Sequence, residues 1–284
     1  MKMIGSVLLL FTLWVPQQRP VPVRPAPAHV SVLDQHLLVT WYGNPRSNLM
    51  GILGERAGAA RVAGLRAQAA EFAALTPKKV LPAYELVAVV ALCTEGADKK
   101  WRRRETADVI QTLLDEAHSN GFKLILDVQP GRSTVADEVA ALRPFLSDPD
   151  VYLALDPEFA MGDCEIPGRQ IGQMSAADVN AAAAALEKII TDGRLPPKVL
   201  IVHQFRNDML PDKSAIRVSP SVDVVLNMDG IGTQALKRAA YAMVMKQGVL
   251  EFAGIKLFYR QDTKLMTPAQ VLSLVPRPSV VIYQ

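Results

Sequence analysis

Two carboxylates two positions apart, Asp156 and Glu158, close the apolar run Val151-Tyr152-Leu153-Ala154-Leu155. Side chains of an extended chain alternate between faces, so residues i and i+2 point the same way. Read as the end of a buried strand, the run throws both acids onto one face. Acids placed there are costly unless they are paired, hydrogen-bonded or used. The use that suits them is proton transfer. Crowded carboxyls raise one another's pKa, and a carboxyl kept protonated near neutral pH is a proton donor. Glu158 lies furthest out and is the candidate acid, with Asp156 as its orienting or polarising partner. The competing reading makes Asp156 a brace for backbone amides or Arg132 and leaves Glu158 simply exposed.

The elements that would position such a pair recur along the chain. Strand-like apolar runs occupy residues 36–41, 84–92, 122–128, 151–155, 198–203, 222–227, 254–259 and 279–283. Helical patterns fall between them, at 57–75, 106–118, 135–146, 176–190, 234–246 and 268–274. Ser133-Thr134, Ser175 and Thr267 are good N-caps, Pro268 suits a first helical position, and Asn120-Gly121 and Gly193 are stops. Eight strands alternating with helices over about 250 residues predict one α/β domain, a (β/α)8 TIM barrel spanning 29–284. The last run ends the sequence, so the expected barrel lacks its final helix, with the segment before strand one covering the gap. A doubly wound sheet is disfavoured, because no Gly-rich dinucleotide loop follows the first run.

Barrel sites lie at the C-terminal strand ends. Those ends read Tyr42-Gly43-Asn44, Cys93-Thr94-Glu95, Asp127-Val128-Gln129-Pro130-Gly131-Arg132, Asp156-Pro157-Glu158, His203-Gln204-Phe205-Arg206, Asn227-Met228-Asp229, Tyr259-Arg260 and Tyr283-Gln284. Each run switches from aliphatic to polar at the same end, which predicts a polar pocket on one face of the barrel. Alternation puts Asp127 with Gln129 and Asn227 with Asp229. Glu158, Asp156, Asp127 and Asp229 are therefore the candidate catalytic groups. Tyr42, Gln129, Arg132, Gln204, Asn227, Tyr259 and Gln284 are the candidate substrate contacts. His203 and Gln204 face opposite ways, and periodicity does not choose between them; His203 reads more readily as a packed, hydrogen-bonded residue. Arg132 and Arg206 suit either an anion or the acids. Trp41, Tyr42, Phe159 and Tyr259 offer stacking surfaces.

The bulk composition narrows the function further. Half of the residues are hydrophobic, enough for a sizeable core, and a net charge of +3 argues against a nucleic-acid partner. The basic run Lys99-Lys100-Trp101-Arg102-Arg103-Arg104 reads as a solvated helix start. Lys2 and the apolar run at 3–15 fit a signal peptide or anchor, and Pro16 to Ala28 a stiff Pro-rich spacer, so residues 1–28 predict export and the only membrane contact. Cys93 and Cys164 would be joined in an exported protein or be two buried thiols. Neither has metal-ligand spacing, so no metal and no cofactor is expected. No Gly-x-Ser-x-Gly elbow supports a serine nucleophile. A divalent-metal phosphodiesterase stays open, since clustered Asp and Glu with amides can hold Mg²⁺ or Ca²⁺, although such barrels usually add paired His ligands and the whole chain has four His.

The strand-end motifs Leu126-Asp127-Val128-Gln129-Pro130-Gly131-Arg132, Leu155-Asp156-Pro157-Glu158, His203-Gln204-Phe205-Arg206, Met228-Asp229-Gly230 and Tyr283-Gln284 resemble those of a family of uncharacterised exported bacterial barrel proteins. More distantly, Asp156-x-Glu158 is similar to the acid pair of barrel glycoside hydrolases, including family 25 lysozymes and chitinase-like enzymes. That resemblance implies Glu158 as proton donor to a glycosidic oxygen and Asp156 as the residue that positions a substrate acetamido group. The longer acidic pattern of chitinases is absent, since Tyr152 and Ala154 hold the preceding same-face positions. The expectation is a periplasmic, envelope or extracellular glycosidase-like hydrolase that cleaves a glycan by carboxylate acid/base catalysis. The alternative is a non-catalytic envelope barrel that binds a glycan or another small polar ligand.

Overall fold

In the computed structural model, which describes residues 31–246 and 251–284, eight parallel strands close on themselves. The first elements are α1 (Val32–Gln35), β1 (His36–Gly43), α2 (Ile52–Glu55), α3 (Gly58–Ala73), β2 (Lys79–Ala91) and β3 (Arg102–Arg104). Next come α4 (Ala107–Asn120), β4 (Lys123–Val128), α5 (Val135–Leu146), β5 (Val151–Leu155), α6 (Ala176–Gly193) and β6 (Lys198–Gln204). The chain continues through β7 (Val222–Met228), α7 (Gln234–Lys246), β8 (Phe252–Leu257), α8 (Pro268–Leu272) and β9 (Val280–Tyr283). Strand order runs β1-β9-β8-β7-β6-β5-β4-β2, and pairing of β1 with β2 closes the ring. The expected TIM barrel is thus present. The signal peptide and spacer expected over 1–28 lie outside the described residues.

Alternation sorts each strand into two layers. Leu38, Ile125, Tyr152, Ala154, Val199, Ile201, Val225, Val280 and Ile282 fill the barrel interior. Leu37, Val39, Leu124, Leu126, Leu153, Leu200, Val202, Val224 and Leu226 face the helices. A bulge in β2 between Val87 and Val89 resets the phase, so Val87 and Val90 both point inward while Ala88 and Val89 join the outer layer.

Helix ends follow the local chemistry. Thr134 accepts a hydrogen bond from the Asp137 amide, and Ser175 and Thr267 each form a reciprocal capping box. Gly121 ends α4 with φ of 68°, the left-handed region that glycine enters freely. Strand β2 starts five residues before the expected position. Pro82 disguised that start, but β4 begins opposite Ala83, so Pro82 sits where β2 has a neighbour on one side only.

Two expectations are corrected. Among the described residues, the segment before β1, residues 31–35, does not replace an eighth outer helix. Leu33 of α1 joins the interior core, while Ser31 Oγ and the Leu33 amide donate to Asp223 at the start of β7 (2.9 and 3.0 Å). The segment therefore plugs the N-terminal mouth of the barrel. The outer gap is closed by α3 leaning on α8, with Phe72 edge-on to Tyr283. The basic run is not a helix start either: Arg102–Arg104 pairs antiparallel with Val89 to Ala91. Arg102 and Arg104 grip the buried Glu138 of α5 at 2.8 and 2.7 Å. Burial alone would raise the Glu138 pKa, but the bonds from Arg104, Ser133 and Arg102 prevail and hold it below the usual carboxylate range.

Candidate active site

Inward positions near the C-terminal strand ends carry polar groups on most strands: Tyr42 of β1, Glu85 of β2, Asp127 of β4, His203 of β6, Asn227 of β7 and Lys256 of β8. His203 points inward because it shares phase with the interior Val199 and Ile201. Its Nδ1 lies at hydrogen-bond distance from both oxygens of Asp229 (3.0 and 2.9 Å), and its Nε2 from Glu85 Oε1 (2.9 Å). Asn227 Nδ2 donates to Asp229 at 2.5 Å. Lys256 Nζ stands 3.3 Å from Asp229 and 3.4 Å above the Tyr42 ring, a close cation–π contact. The Tyr42 hydroxyl donates to Asp127 Oδ2 (3.0 Å) and accepts from Gln129 Nε2 (3.3 Å), while Gln129 Oε1 takes the Ala91 amide (3.1 Å).

Asp156 reaches the same space by the expected alternation, in phase with the interior Tyr152 and Ala154, its amide bonded to the Val128 carbonyl (3.0 Å). Strand β5 ends at Leu155, and Pro157–Phe159 forms a single 3-10 turn. Asp156 Oδ1 accepts the Glu158 amide at 3.2 Å, which caps that turn. The turn, not strand alternation, brings Glu158 to the same cavity of about 280 Å³. Asp156, Glu158, Asp229 and Lys256 are its charged lining, Tyr42, Gln129 and Gln284 its polar lining, and Phe159, Phe205, Phe258 and Ile231 its apolar wall.

The four acids have opposite fates. Burial, then the charge of Asp127, pushes the Asp156 carboxyl well above the usual range. Burial, then the charge of Asp229, raises Glu158. Asp127 is pushed up to about 6 by burial, which outweighs the opposing charge of His203. Asp229 goes the other way, to about 2: burial is overcome by the charges of His203 and Lys256 and by bonds from His203 and Asn227. His203 and Lys256 are both raised, because neighbouring carboxylates, Asp229 foremost, outweigh the desolvation of each cation.

Of the expected site residues, Glu158, Asp156, Asp229, Tyr42, Gln129 and Gln284 come together around the cavity. The others do not contact it. Asp127 is fully buried behind Tyr42 and supports that hydroxyl rather than facing a ligand. Asn227 sits under Asp229 and acts through it. Gln204 points to the helix layer, donating to the Arg206 carbonyl and accepting from Lys213, because its phase is opposite to that of His203. Arg132 turns away to the Glu165 carbonyl and the Trp101 ring, since Gly131, at φ 58°, redirects the loop. Tyr259 lies beyond the end of β8, 40% exposed, stacked on Tyr283 and donating to Gln68 of α3. Trp41 faces outward under Arg56, and Arg206 pairs with Asp208.

Cys93 and Cys164 are free and exposed, neither joined nor buried. Sequence reasoning missed Glu85 and Lys256 and left His203 as a packed residue. The available signal was a single charge inside an apolar run, Tyr84-Glu85-Leu86 and Ile255-Lys256-Leu257. Both faces of a barrel strand are covered, so such a charge must find an opposite partner within.

Glu85, Asp127 and His203 are also the buried trio whose donor atoms lie close enough together, within 4.8 Å, to hold a metal ion. Each His203 nitrogen faces a carboxylate at hydrogen-bond distance, and a ring proton at each nitrogen meets both. Compared with known proteins, the chain matches no family model and no curated sequence.

Proposed function

We propose that the protein is an exported glycoside hydrolase-like enzyme that cleaves a cell-wall or extracellular glycan. One observation carries the reading. A single open cavity holds a carboxyl with raised proton affinity, Glu158, beside a carboxylate kept ionised, Asp229. Carboxyls whose environments drive their pKa values apart are the means by which glycosidases divide acid and charge-stabilising roles.

Glu158 protonates the leaving glycosidic oxygen as the bond to the anomeric carbon breaks. Asp229 faces the positive charge that develops on the sugar. Because His203 and Lys256 already hold it, Asp229 is a weak base and serves as a fixed negative charge. Water then adds its hydroxyl to the anomeric carbon, and its remaining proton restores the Glu158 carboxyl. Asp156, whose proton affinity burial raises, donates a hydrogen bond to the substrate when protonated, and Phe159, Phe205 and Phe258 cover the apolar face of the sugar. The export component rests on the apolar run at 3–15.

The test is release of reducing ends from soluble peptidoglycan fragments and N-acetylglucosamine oligomers. Glu158→Gln is expected to lower turnover by about 10²–10⁴-fold, the usual worth of a general acid, with the melting temperature nearly unchanged. Undiminished turnover in that variant refutes the assignment. Binding of these glycans without cleavage by the wild-type protein favours the non-catalytic barrel instead.

A further inference from the structure

His203 is 1% exposed and lies between two carboxylates at opposite ring edges, Asp229 at Nδ1 and Glu85 at Nε2. A neutral imidazole carries one N–H and would present a lone pair to one of those carboxylates. The doubly protonated ring satisfies both with each acid ionised. Asp229 directly follows β7, its amide still bonded to the Gln204 carbonyl (3.0 Å), and both its oxygens face His203 Nδ1, with Asn227 and Lys256 as its other partners.

Other groups around the ring reinforce the arrangement. Tyr42 of β1 meets it edge-on at 6.2 Å, Asp127 of β4 stands 4.0 Å from Nε2, and Lys256 of β8 reaches the far side of Asp229. Asp156 and Glu158, after β5, lie further out along the cavity.

We propose that His203, anchored by Glu85, is the positioning residue of the site: its fixed positive charge clamps the Asp229 carboxylate to the cavity floor. The line Glu85–His203–Asp229 thus crosses the barrel from β2 to the end of β7 and aims one carboxylate at the ligand. Its catalytic consequence rests on the glycosidase reading; the charge state and the clamp do not.

Nitrogen-15 NMR of histidine-labelled full-length protein between pH 5 and 9 tests the charge directly. Both ring nitrogens of His203 are expected to remain protonated throughout. In Glu85→Gln, which keeps the shape and removes the charge, the second proton should be lost within that range. Carbon-13 spectra should show the Asp229 carboxyl titrating at least tenfold less acidic in His203→Gln. With an active substrate, Glu85→Gln should move the basic limb of the kcat profile to lower pH with KM little changed, a shift that a packing role alone does not produce.

A wild-type spectrum with one protonated ring nitrogen at pH 7 overturns the proposal. Metal analysis then tells a neutral ring from a metal-bound one. Should His203→Gln fail to fold, the wild-type spectrum and Glu85→Gln still decide. Absence of glycan cleavage with both ring nitrogens protonated removes the functional reading and leaves the clamp standing.

Discussion

Asp127→Asn is expected to make the protein more stable at neutral pH, although it alters a fully buried residue in the centre of the barrel. Asp127 is pushed up to about 6 from an ordinary value of 3.8. Between those two values the unfolded chain has released the proton and the folded chain still holds it. Stability therefore falls as pH rises through that window, and the cost is fully present above it. A difference of about two pH units, at about 1.4 kcal/mol each, makes the cost roughly 3 kcal/mol. Asparagine imitates the protonated carboxyl, and its carbonyl can still accept the Tyr42 hydroxyl that Asp127 Oδ2 accepts at 3.0 Å.

The gain at pH 7 should approach that 3 kcal/mol, or roughly 6–12 °C in melting temperature for a chain of this size, and vanish near pH 3.5. Urea unfolding of wild type and variant at pH 3.5, 5 and 7.5 measures it. A variant less stable than wild type at pH 7.5, or one whose pH slope between 4 and 6 matches wild type, refutes the reasoning. In the first case the carboxylate stabilises as a charge, and the Asp127–His203 attraction outweighs burial after all.

Three further outcomes follow from the packing. Arg102→Ala leaves buried Glu138 with Arg104 and Ser133, and should cost about 1.5–3 kcal/mol in urea unfolding; by contrast Lys188→Ala, from a pair with Lys188 mostly exposed, should fall within about 0.5 kcal/mol. Gly254→Ala would set a methyl 2.3 Å from Asn227 Oδ1, so the amide that holds Asp229 must move; a loss of about 1–3 kcal/mol is expected by calorimetry, and unchanged stability would show that the site relaxes freely. Both thiols of the folded protein should react with a thiol reagent, and fewer than two equivalents in the reduced protein would contradict the exposure of Cys93 and Cys164.

The barrel was legible because every strand is an apolar run that turns polar at one end, and because caps such as Ser175 and stops such as Gly121 punctuate the helices. The acids were legible by type. Their orientation was only partly so, since alternation holds within a strand and fails beyond it. Asp156 follows alternation, in phase with Tyr152 and Ala154, but Glu158 arrives through a turn capped by Asp156, so its right destination came from the wrong geometry. Tyr259 fell outside β8, and Arg132 followed a glycine turn that no periodicity encodes. His203 and Gln204 could not be told apart, because aliphatic residues fill both faces of β6. Lys256 and Glu85 were invisible as members of a site until ring closure brought β2 and β8 to face the same interior.

Ring closure also explains how chemically similar acids acquire different roles. The interior supplies two cations, His203 from β6 and Lys256 from β8. Both bear on Asp229, and His203 also takes Glu85. Asp127 and Asp156 have no cation within ion-pair reach closer than the 4.0 Å from Asp127 to His203 among the described contacts, and burial raises their proton affinity instead. Which carboxyl is charged is therefore decided by strand neighbours rather than by residue type. The mouth of the cavity inherits that division: Glu158, beside an ionised Asp229 and away from both cations' direct grasp, is the acid whose proton a ligand can reach. A local motif supplied the donor, and the cations of β6 and β8, three and five barrel strands round from β2, supplied the reason that its neighbour stays charged.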